Sequence, residues 1–186
     1  MSSGRTRSAV FLDRDGTLIR DVNFLSRPEQ VELLSGVAAA VRRVNEAGLA
    51  AIVITNQSGI ARGYFTEAEY EKVRQRMESL LRDQGARIDA TYHCPHFPEV
   101  SGACECRKPG TLLYRRAVKE HGIDARSSWF IGDRLRDVSP AGELGGTGIM
   151  VPSDQTSMAE VESARKEFLV EASLDAAIGR VIESLK

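Results

Sequence analysis

Four groups of polar residues along the chain have the composition needed for phosphoryl transfer. Asp13 and Asp15 stand close together directly after an apolar run, and Asp133 follows a second such run. Thr55 begins a polar stretch after a third run, and Lys108 lies just before a helical pattern. Because ligands bind outside the carboxyl ends of the strands in an open parallel sheet, we expect these groups to meet in one crevice.

Each of these residue types has a defined chemical use. An aspartate carboxylate can attack phosphorus as a nucleophile, and a second aspartate nearby can protonate the leaving oxygen and then deprotonate water. Asp13, Asp15 and Asp133 would repel one another without compensation, which favours a site for Mg²⁺. Lys108 and Thr55 would stabilise the oxygens of a phosphoryl group in transfer. The combination predicts hydrolysis of a phosphate monoester.

The elements that must position these side chains are visible as apolar runs and helical patterns. Five short runs are continuous rather than alternating, which is typical of strands buried on both faces of a parallel sheet. The predicted strands cover residues 9–12, 50–54, 88–92, 129–131 and 148–151. The predicted helices cover residues 36–47, 66–84, 112–120, 158–167 and 174–185, with one more that begins near Pro140. Alternating strands and helices indicate an α/β fold with a doubly wound, Rossmann-like parallel sheet.

Residues 94–109 show neither the apolar run of a buried strand nor the periodicity of a helix, so we expect a long ordered loop there. Its candidate metal ligands, in the spacing C-x-H-x₇-C-x-C, are Cys94, His96, Cys104 and Cys106. Four such ligands suit a closed, structural Zn²⁺ site. A metal in this loop would also fix the adjacent cations Arg107 and Lys108. His93 is a competing ligand outside the C-x-H spacing, and buried thiols without a metal are the alternative.

The intervals between the polar groups leave no room for a cap domain. The stretch from Asp15 to Thr55 is filled by an expected loop, helix and strand, and the stretch from Thr55 to Lys108 by a helix, a strand and the cysteine loop. We therefore expect a single domain over residues 1–186 with an open, capless crevice. Such a crevice would hold a small substrate by charge.

Four sequence motifs carry a resemblance to a known family. The segments FLDRDGTL, ITNQSG, CRKPG and FIGDRLRD occur in this order within residues 10–137. They resemble the four motifs of the haloacid dehalogenase superfamily of phosphotransferases. Within it, DRDGTL, TNQSGIARG and the cysteine-rich loop before CRKP are similar to the D-glycero-D-manno-heptose 1,7-bisphosphate phosphatases, with the histidinol-phosphate phosphatase domain as a close relative.

The resemblance implies a role for each motif residue. It implies Asp13 as the nucleophile that becomes an aspartyl-phosphate, Asp15 as the acid and base, and Thr55 and Lys108 as stabilisers of the phosphoryl group. It implies that Asp13, the backbone carbonyl of Asp15 and Asp133 hold Mg²⁺, and it supports the same four Zn²⁺ ligands. The implied substrate contacts are Asp21, Val22, Asn23, Phe24, Thr55, Asn56, Gln57, Ser58, Arg107, Lys108 and Arg134.

The implied reaction is removal of the C7 phosphate from D-glycero-D-manno-heptose 1,7-bisphosphate. Histidinol phosphate is the alternative substrate. A non-catalytic, zinc-stabilised binding module is the alternative from another class. Inactive copies of this kind would be expected to lose Asp13, Asp15 or Lys108, and this chain has all three.

Several residues also have a plainer interpretation. Asp13 and Asp133 could each be a turn or cap residue at a strand end, and Thr55 could belong to an ordinary β–α turn. Their joint occurrence with the other groups favours catalysis. Asp137 could assist the metal or begin a helix, and both interpretations stay open. We expect Arg62 to face solvent.

Composition and charge exclude other classes of protein. The chain has 186 residues with Lys+Arg 25 against Asp+Glu 26, whereas a nucleic-acid-binding protein more often has a basic excess. Its longest apolar runs are about five residues, far short of the roughly 20 needed to span a bilayer. Three cysteines in one segment do not resemble a disulfide framework, and no signal peptide is evident. We expect a reduced, cytoplasmic, monomeric protein that binds a small phosphorylated sugar and neither nucleic acid nor membrane.

Overall fold

Six parallel strands form one open sheet in the computed structural model, which describes residues 6–186. The strands are β1 (Ala9–Leu12), β2 (Ala50–Asn56), β3 (Ala90–Cys94), β4 (Trp129–Gly132), β5 (Thr147–Met150) and β6 (Leu169–Val170). Their order across the sheet is β3-β2-β1-β4-β5-β6. The order reverses between β1 and β4, and in an open α/β sheet the ligand crevice lies at that point. Asp13 and Asp133 directly follow these two strands.

Helices cover both faces of the sheet. The described residues contain α1 (Val37–Glu46), α2 (Glu67–Asp83), α3 (Pro98–Ser101), α4 (Leu112–His121), α5 (Leu135–Val138), α6 (Pro140–Leu144), α7 (Met158–Ala164) and α8 (Leu174–Glu183). Local signals set their ends: Thr66 and Glu69 form a capping box at the start of α2, and Gly122 ends α4 in the left-handed conformation. These ends agree with the sequence prediction.

The core explains why the apolar runs are continuous. Val10 and Leu12 of β1 pack into the cluster formed with α1, α2 and α8, while Ala9 and Phe11 pack on the opposite face with α4. All four residues are at most 1% exposed. Because neither face of β1 meets water, no polar alternation is needed, and the predicted doubly wound sheet is confirmed.

The structure differs from the sequence prediction at several boundaries. The two-residue strand β6 at the sheet edge was not expected, because so short a run has no periodicity of its own. Strand β3 begins and ends two residues later than predicted, and β2 continues to Asn56. The cysteine loop, expected to be irregular, contains the single turn α3. A separate short helix, α5, precedes the helix expected at Pro140.

The connections that could carry a cap domain are short. Residues 13–36 contain only turns, isolated bridges and the 3₁₀ turn Pro28–Gln30, and residues 57–66 form one turn before α2. Both segments lie within the described residues, so the crevice is capless, as expected. Every helix within residues 6–186 is too short or too polar to span a bilayer.

Candidate active site

Lys108 is the central cation of the crevice and is almost completely buried. Its Nζ donates hydrogen bonds to Asp13 Oδ1 at 2.6 Å and to the carbonyl of Ile54 at 2.7 Å, and it lies 2.7 Å from Asp137 Oδ1. Burial by itself lowers the pKa of this ammonium, but the carboxylates of Asp13 and Asp137 outweigh it and raise the pKa. Lys108 is therefore a fixed positive charge beside the candidate nucleophile.

The carboxylates around Lys108 carry more negative charge than one cation can balance. Carboxylate oxygens of Asp13, Asp133 and Asp137 lie within 4.8 Å of one another, and all three residues are buried. Burial is the largest cause that raises the pKa of Asp13 to about 7; Lys108 lowers it, and the neighbouring carboxylates raise it further. Burial also raises the pKa of Asp133 to about 6. This excess of negative charge fits a site for a divalent cation that prefers oxygen ligands.

Asp133 is oriented by residues far away in the sequence. Ser153 Oγ donates to Asp133 Oδ2 at 2.6 Å, and Thr156 Oγ1 donates to the Asp133 backbone carbonyl at 2.7 Å. Gly16 has φ +80, and a Cβ there would lie 2.6 Å from Asp133 Oδ2. A glycine is therefore required where the turn after β1 passes this carboxylate.

Asp15 lies outside the carboxylate cluster and is held by different partners. Arg14 donates from Nε and Nη2 to the Asp15 carboxylate at 2.9–3.1 Å, and Gln57 Nε2 donates to Asp15 Oδ2 at 2.9 Å. Gln57 Nε2 also donates to Thr55 Oγ1 at 2.8 Å. Arg14 is 1% exposed, and its guanidinium lies over the ring of Tyr70. The side chain of Asp15 is thus held between a buried cation and the polar stretch after β2.

Asn56 connects the second and third motifs. Its Oδ1 accepts a hydrogen bond from the Lys108 backbone N–H at 3.0 Å, and its Nδ2 donates to the Lys108 carbonyl at 3.3 Å. A side-chain amide that bonds both backbone groups of one residue fixes the position of that residue. Asn56 therefore fixes the backbone from which the buried ammonium extends.

A cleft of about 130 Å³ lies at this point and brings together most of the predicted site residues. Of the expected catalytic, magnesium-binding and substrate-contacting residues, those that line it are Asp13, Asp15, Asp21, Val22, Asn23, Phe24, Thr55, Asn56, Gln57, Ser58, Lys108, Asp133 and Arg134. Arg107 is not among the lining residues, and its Nη1 donates to the His96 carbonyl at 3.3 Å. Arg134 lines the cleft, but its Nε also donates to Glu160 at 2.9 Å.

Two cations of the cleft, Arg14 and Arg136, were not singled out from the sequence. Both lie inside recognised motifs, and each stands directly next to an aspartate in the sequence. Arginine next to an acid is common on solvated surfaces, so only the burial of Arg14 distinguishes it. Asp137 lies in helix α5, and its carboxylate belongs to the cluster, so its position is compatible with either of the two interpretations.

The cysteine loop brings its four predicted ligands together. Ligand atoms of Cys94, His96, Cys104 and Cys106 lie within 4.8 Å of one another. The sulfur of Cys94 lies 3.7 Å from that of Cys104 and 3.1 Å from that of Cys106. Zn–S bonds of about 2.3 Å in a tetrahedron put sulfurs about 3.8 Å apart, so the first distance matches a Zn²⁺ site and the second is shorter. His93 points elsewhere: its Nε2 contacts Glu67 at 2.9 Å, and its ring packs on Tyr70. The three thiols and one imidazole, gathered in one place, are a donor set that fits Zn²⁺.

Comparison with known proteins gives consistent matches over the sequence and the fold. A family model described as "HAD-hyrolase-like" matches residues 105–177. A D-glycero-beta-D-manno-heptose-1,7-bisphosphate 7-phosphatase of Haemophilus ducreyi is 38% identical over 174 residues, 90% of this chain and 94% of the relative. The protein of the same name from Escherichia coli K12 is 39% identical over 164 residues, 84% of this chain and 85% of the relative.

Solved structures show the same fold. A D,D-heptose 1,7-bisphosphate phosphatase from B. bronchiseptica, complexed with magnesium and phosphate, superposes with a TM-score of 0.86 at 28% identity over 95% of this chain and 99% of that one. A putative HAD-like phosphatase from Mesorhizobium loti gives a TM-score of 0.82 at 30% identity over 97% and 88% of the two chains. The chain belongs to the family of the D-glycero-beta-D-manno-heptose-1,7-bisphosphate 7-phosphatases, which are phosphoric monoester hydrolases of the haloacid dehalogenase superfamily.

Proposed function

We propose that this enzyme removes the C7 phosphate of D-glycero-D-manno-heptose 1,7-bisphosphate in a reaction that needs Mg²⁺. The observation that carries the proposal is the contact of buried Lys108 with both Asp13 and Asp137, beside Asp133, where the strand order reverses. Nucleophile, cation and metal-binding carboxylates therefore share one crevice. The names of the relatives support the substrate, and they specify the β anomer.

In the first step, a carboxylate oxygen of Asp13 attacks the phosphorus. A new O–P bond forms, the ester P–O bond breaks, and Asp15 gives its proton to the leaving sugar oxygen. The contacts with Arg14 and Gln57 hold Asp15 in the lining of the cleft, where it can reach the leaving group. Lys108 and Thr55 stabilise the charge on the phosphoryl oxygens.

In the second step, Asp15 takes a proton from water, and the water oxygen attacks the phosphorus of the aspartyl-phosphate. The bond to Asp13 breaks and inorganic phosphate leaves. Asp13, Asp133 and the backbone carbonyl of Asp15 are the groups that would hold Mg²⁺, whose bound charge would neutralise the carboxylates and the phosphoryl oxygens. Asp137, in contact with Lys108, would keep that cation in place.

The cleft favours a small substrate with more than one charge. Basic side chains of Arg134 and Arg136 line one side of it, opposite the polar stretch after β2. No cap covers it in the described part of the chain, so charge must hold the substrate. A second phosphate on the sugar would meet this requirement, and an imidazole-bearing monophosphate would meet it less well.

A panel of phosphate esters tests the proposal. We expect kcat/KM to be highest for the β anomer of the heptose 1,7-bisphosphate, lower for the α anomer and fructose 1,6-bisphosphate, and lowest for histidinol phosphate. Turnover of each should depend on added Mg²⁺. A preference for histidinol phosphate over every bisphosphate would reject the proposed substrate, and full activity after removal of divalent cations would reject the proposed metal.

We predict that Mg²⁺ binding weakens as the pH falls. With the pKa of Asp13 raised to about 7, the metal-free site holds a proton at pH 6 that Mg²⁺ must displace, whereas at pH 8 it does not. The Mg²⁺ concentration for a half-maximal rise in Tm should be about tenfold higher at pH 6 than at pH 8. The variant Asp13→Asn should lose most of this pH dependence, and an equal requirement at both pH values in the unmodified enzyme would contradict the prediction.

We also propose that the cysteine cluster holds one structural Zn²⁺. The described cysteines are all unpaired thiols, and all belong to this cluster, which favours a reducing, cytoplasmic setting. Cys106 stands directly before Arg107 and Lys108, so a fixed metal ligand also fixes the start of the third motif. The proposed role of the metal is therefore to position Lys108 by rigidifying the loop.

Metal analysis of two histidine variants tests the zinc site. We expect about one equivalent of zinc in the purified enzyme, loss of most of it in His96→Gln, and full retention in His93→Gln, because only His96 lies in the cluster. Less than half an equivalent in the unmodified enzyme, with its cysteines reduced, would exclude the site. Zinc loss in His93→Gln alone would show that the ligand was assigned to the wrong histidine.

A further inference from the structure

Arg62 is exposed, as expected, but its guanidinium also lies against three aromatic rings. Its guanidinium carbon lies 5.1 Å from the ring centre of Phe24, 4.9 Å from that of Tyr64 and 4.7 Å from that of Phe97. Its Nη2 also donates to the Tyr64 hydroxyl at 3.1 Å. We call Arg62, Phe24, Tyr64 and Phe97 the Arg62 clamp. A guanidinium over an aromatic face is attracted by the ring quadrupole, and its planar shape suits stacking.

The clamp joins the three loops that surround the crevice. Phe24 belongs to the segment after β1 that lines the cleft, and Arg62 and Tyr64 belong to the turn after β2. Phe97 follows the candidate zinc ligand His96 directly. A backbone hydrogen bond from Ala61 N to the carbonyl of Pro95, 3.1 Å long, ties the second and third loops together beside the clamp.

Phe24 needs such support because its backbone is strained. Its φ is 53, and within residues 6–186 it is the only non-glycine residue with a positive φ. A bulky side chain persists in this conformation only where surrounding contacts hold it, and such strain concentrates at functional sites. The ring of Tyr64 lies 4.2 Å from that of Phe24, and Arg62 contacts both rings.

We propose that Arg62 is a positioning residue that determines substrate specificity by holding the Phe24 loop at the edge of the cleft. In this capless enzyme the clamp takes the place of a lid. Arg62 does not itself line the cleft, and its guanidinium is already engaged by three rings and a hydroxyl. It therefore acts through Phe24 and not as a ligand of the second phosphate. The inference rests on the proposed function, because its effect is defined for the sugar bisphosphate.

The test compares two substrates in three variants. Arg62→Gln removes charge and stacking, Arg62→Lys keeps the charge without the planar group, and Arg76→Gln replaces an exposed arginine of α2 as the control. Kinetics are measured with heptose 1,7-bisphosphate and with p-nitrophenyl phosphate, which has no sugar and no second phosphate. We expect kcat/KM for the bisphosphate, divided by kcat/KM for p-nitrophenyl phosphate, to fall about tenfold in both Arg62 variants because KM for the bisphosphate rises. The same ratio should stay unchanged in Arg76→Gln.

A second readout does not depend on turnover. Chymotrypsin cleavage of the bond between Phe24 and Leu25, followed by mass spectrometry, should be faster in both Arg62 variants than in Arg76→Gln, because the loop is released. Normal kinetics in Arg62→Lys together with a defect in Arg62→Gln would assign a direct contact between charge and phosphate, and would overturn the clamp. Equal losses on both substrates, or none, would overturn it too. If the unmodified enzyme did not turn over the bisphosphate, the proposed function would fail, while the cleavage rates would still test the clamp.

Discussion

Replacing Asp13 by Asn should reduce kcat by roughly 10⁴-fold or more, because the amide cannot form the acyl-phosphate bond on which both steps depend. The fold should remain intact. Asn has nearly the shape of Asp, and its oxygen can accept the hydrogen bond that Lys108 Nζ now donates to Asp13 Oδ1 at 2.6 Å. Single-turnover kinetics with the heptose bisphosphate, together with circular dichroism, would measure both parts of the prediction.

The thermal stability of Asp13→Asn is a second check, because the direction of its change can be predicted. The pKa of Asp13 is raised above its unfolded value to about 7, so the folded metal-free protein loses stability as the pH rises from about 4 to 7. Asn has no charge and avoids that cost. In Mg²⁺-free buffer at pH 8 we therefore expect the Tm of Asp13→Asn to equal or exceed that of the unmodified enzyme. Turnover within tenfold of normal would refute the assignment of the nucleophile.

Replacing Lys108 by Met should damage both catalysis and stability. The buried ammonium neutralises Asp13 and Asp137, and its loss leaves two carboxylates facing each other away from water. Breaking a buried ion pair from one side costs about 3–5 kcal/mol, and we expect a loss of that size in urea unfolding at pH 8 without Mg²⁺. Loss of a preorganised cation at the phosphoryl oxygens should lower kcat by about 10²–10³-fold.

The pH dependence separates the electrostatic cause from a loss of packing. At pH 6 the carboxylate of Asp13 can take up a proton, so the stability difference between the Lys108→Met variant and the unmodified enzyme should shrink. A cavity left by poor packing would cost the same at both pH values. Lys119→Met, at an exposed position of α4, is the matched control and should change neither kcat nor stability. A kcat within tenfold of normal in Lys108→Met would exclude Lys108 as a stabiliser of the transferred phosphoryl group.

The arrangement of charge in the crevice explains why these two effects should be the largest. Asp13 and Lys108 are both buried and in contact with each other. When either one is replaced, water cannot take its place beside the charge that remains. Residues at the rim differ in this respect. Arg134 is partly exposed and shares its guanidinium with Glu160, so its replacement should have a smaller effect on kcat.

Much of the fold followed from local patterns. Continuous apolar runs predicted the strands β1, β2, β4 and β5, and caps such as Thr66 and Gly122 marked helix ends. These signals are local because a few adjacent residues are enough to show them: a continuous apolar run marks a strand buried on both faces, and single residues mark helix caps and left-handed turns. The edge strand β6 had no such signal, since a two-residue pairing exists only where the neighbouring strand is already in place.

The amino-acid sequence by itself determined which chemical groups are present and that the ends of parallel strands would bring them together: Asp13, Asp15, Thr55, Lys108 and Asp133. It also determined the cysteine and histidine cluster, because spacing within one short loop limits where the ligands can lie.

Only the tertiary structure decided how these groups are held. It brought Asp137 into contact with Lys108, buried Arg14 beside Asp15 and paired Arg134 with Glu160. It also left Arg107 outside the cleft lining and set the exposed Arg62 against aromatic rings. The physical reason is that these contacts join residues from separate loops and helices. Their partners are chosen by how the packed elements orient side chains, and neither periodicity nor spacing along the chain contains that information.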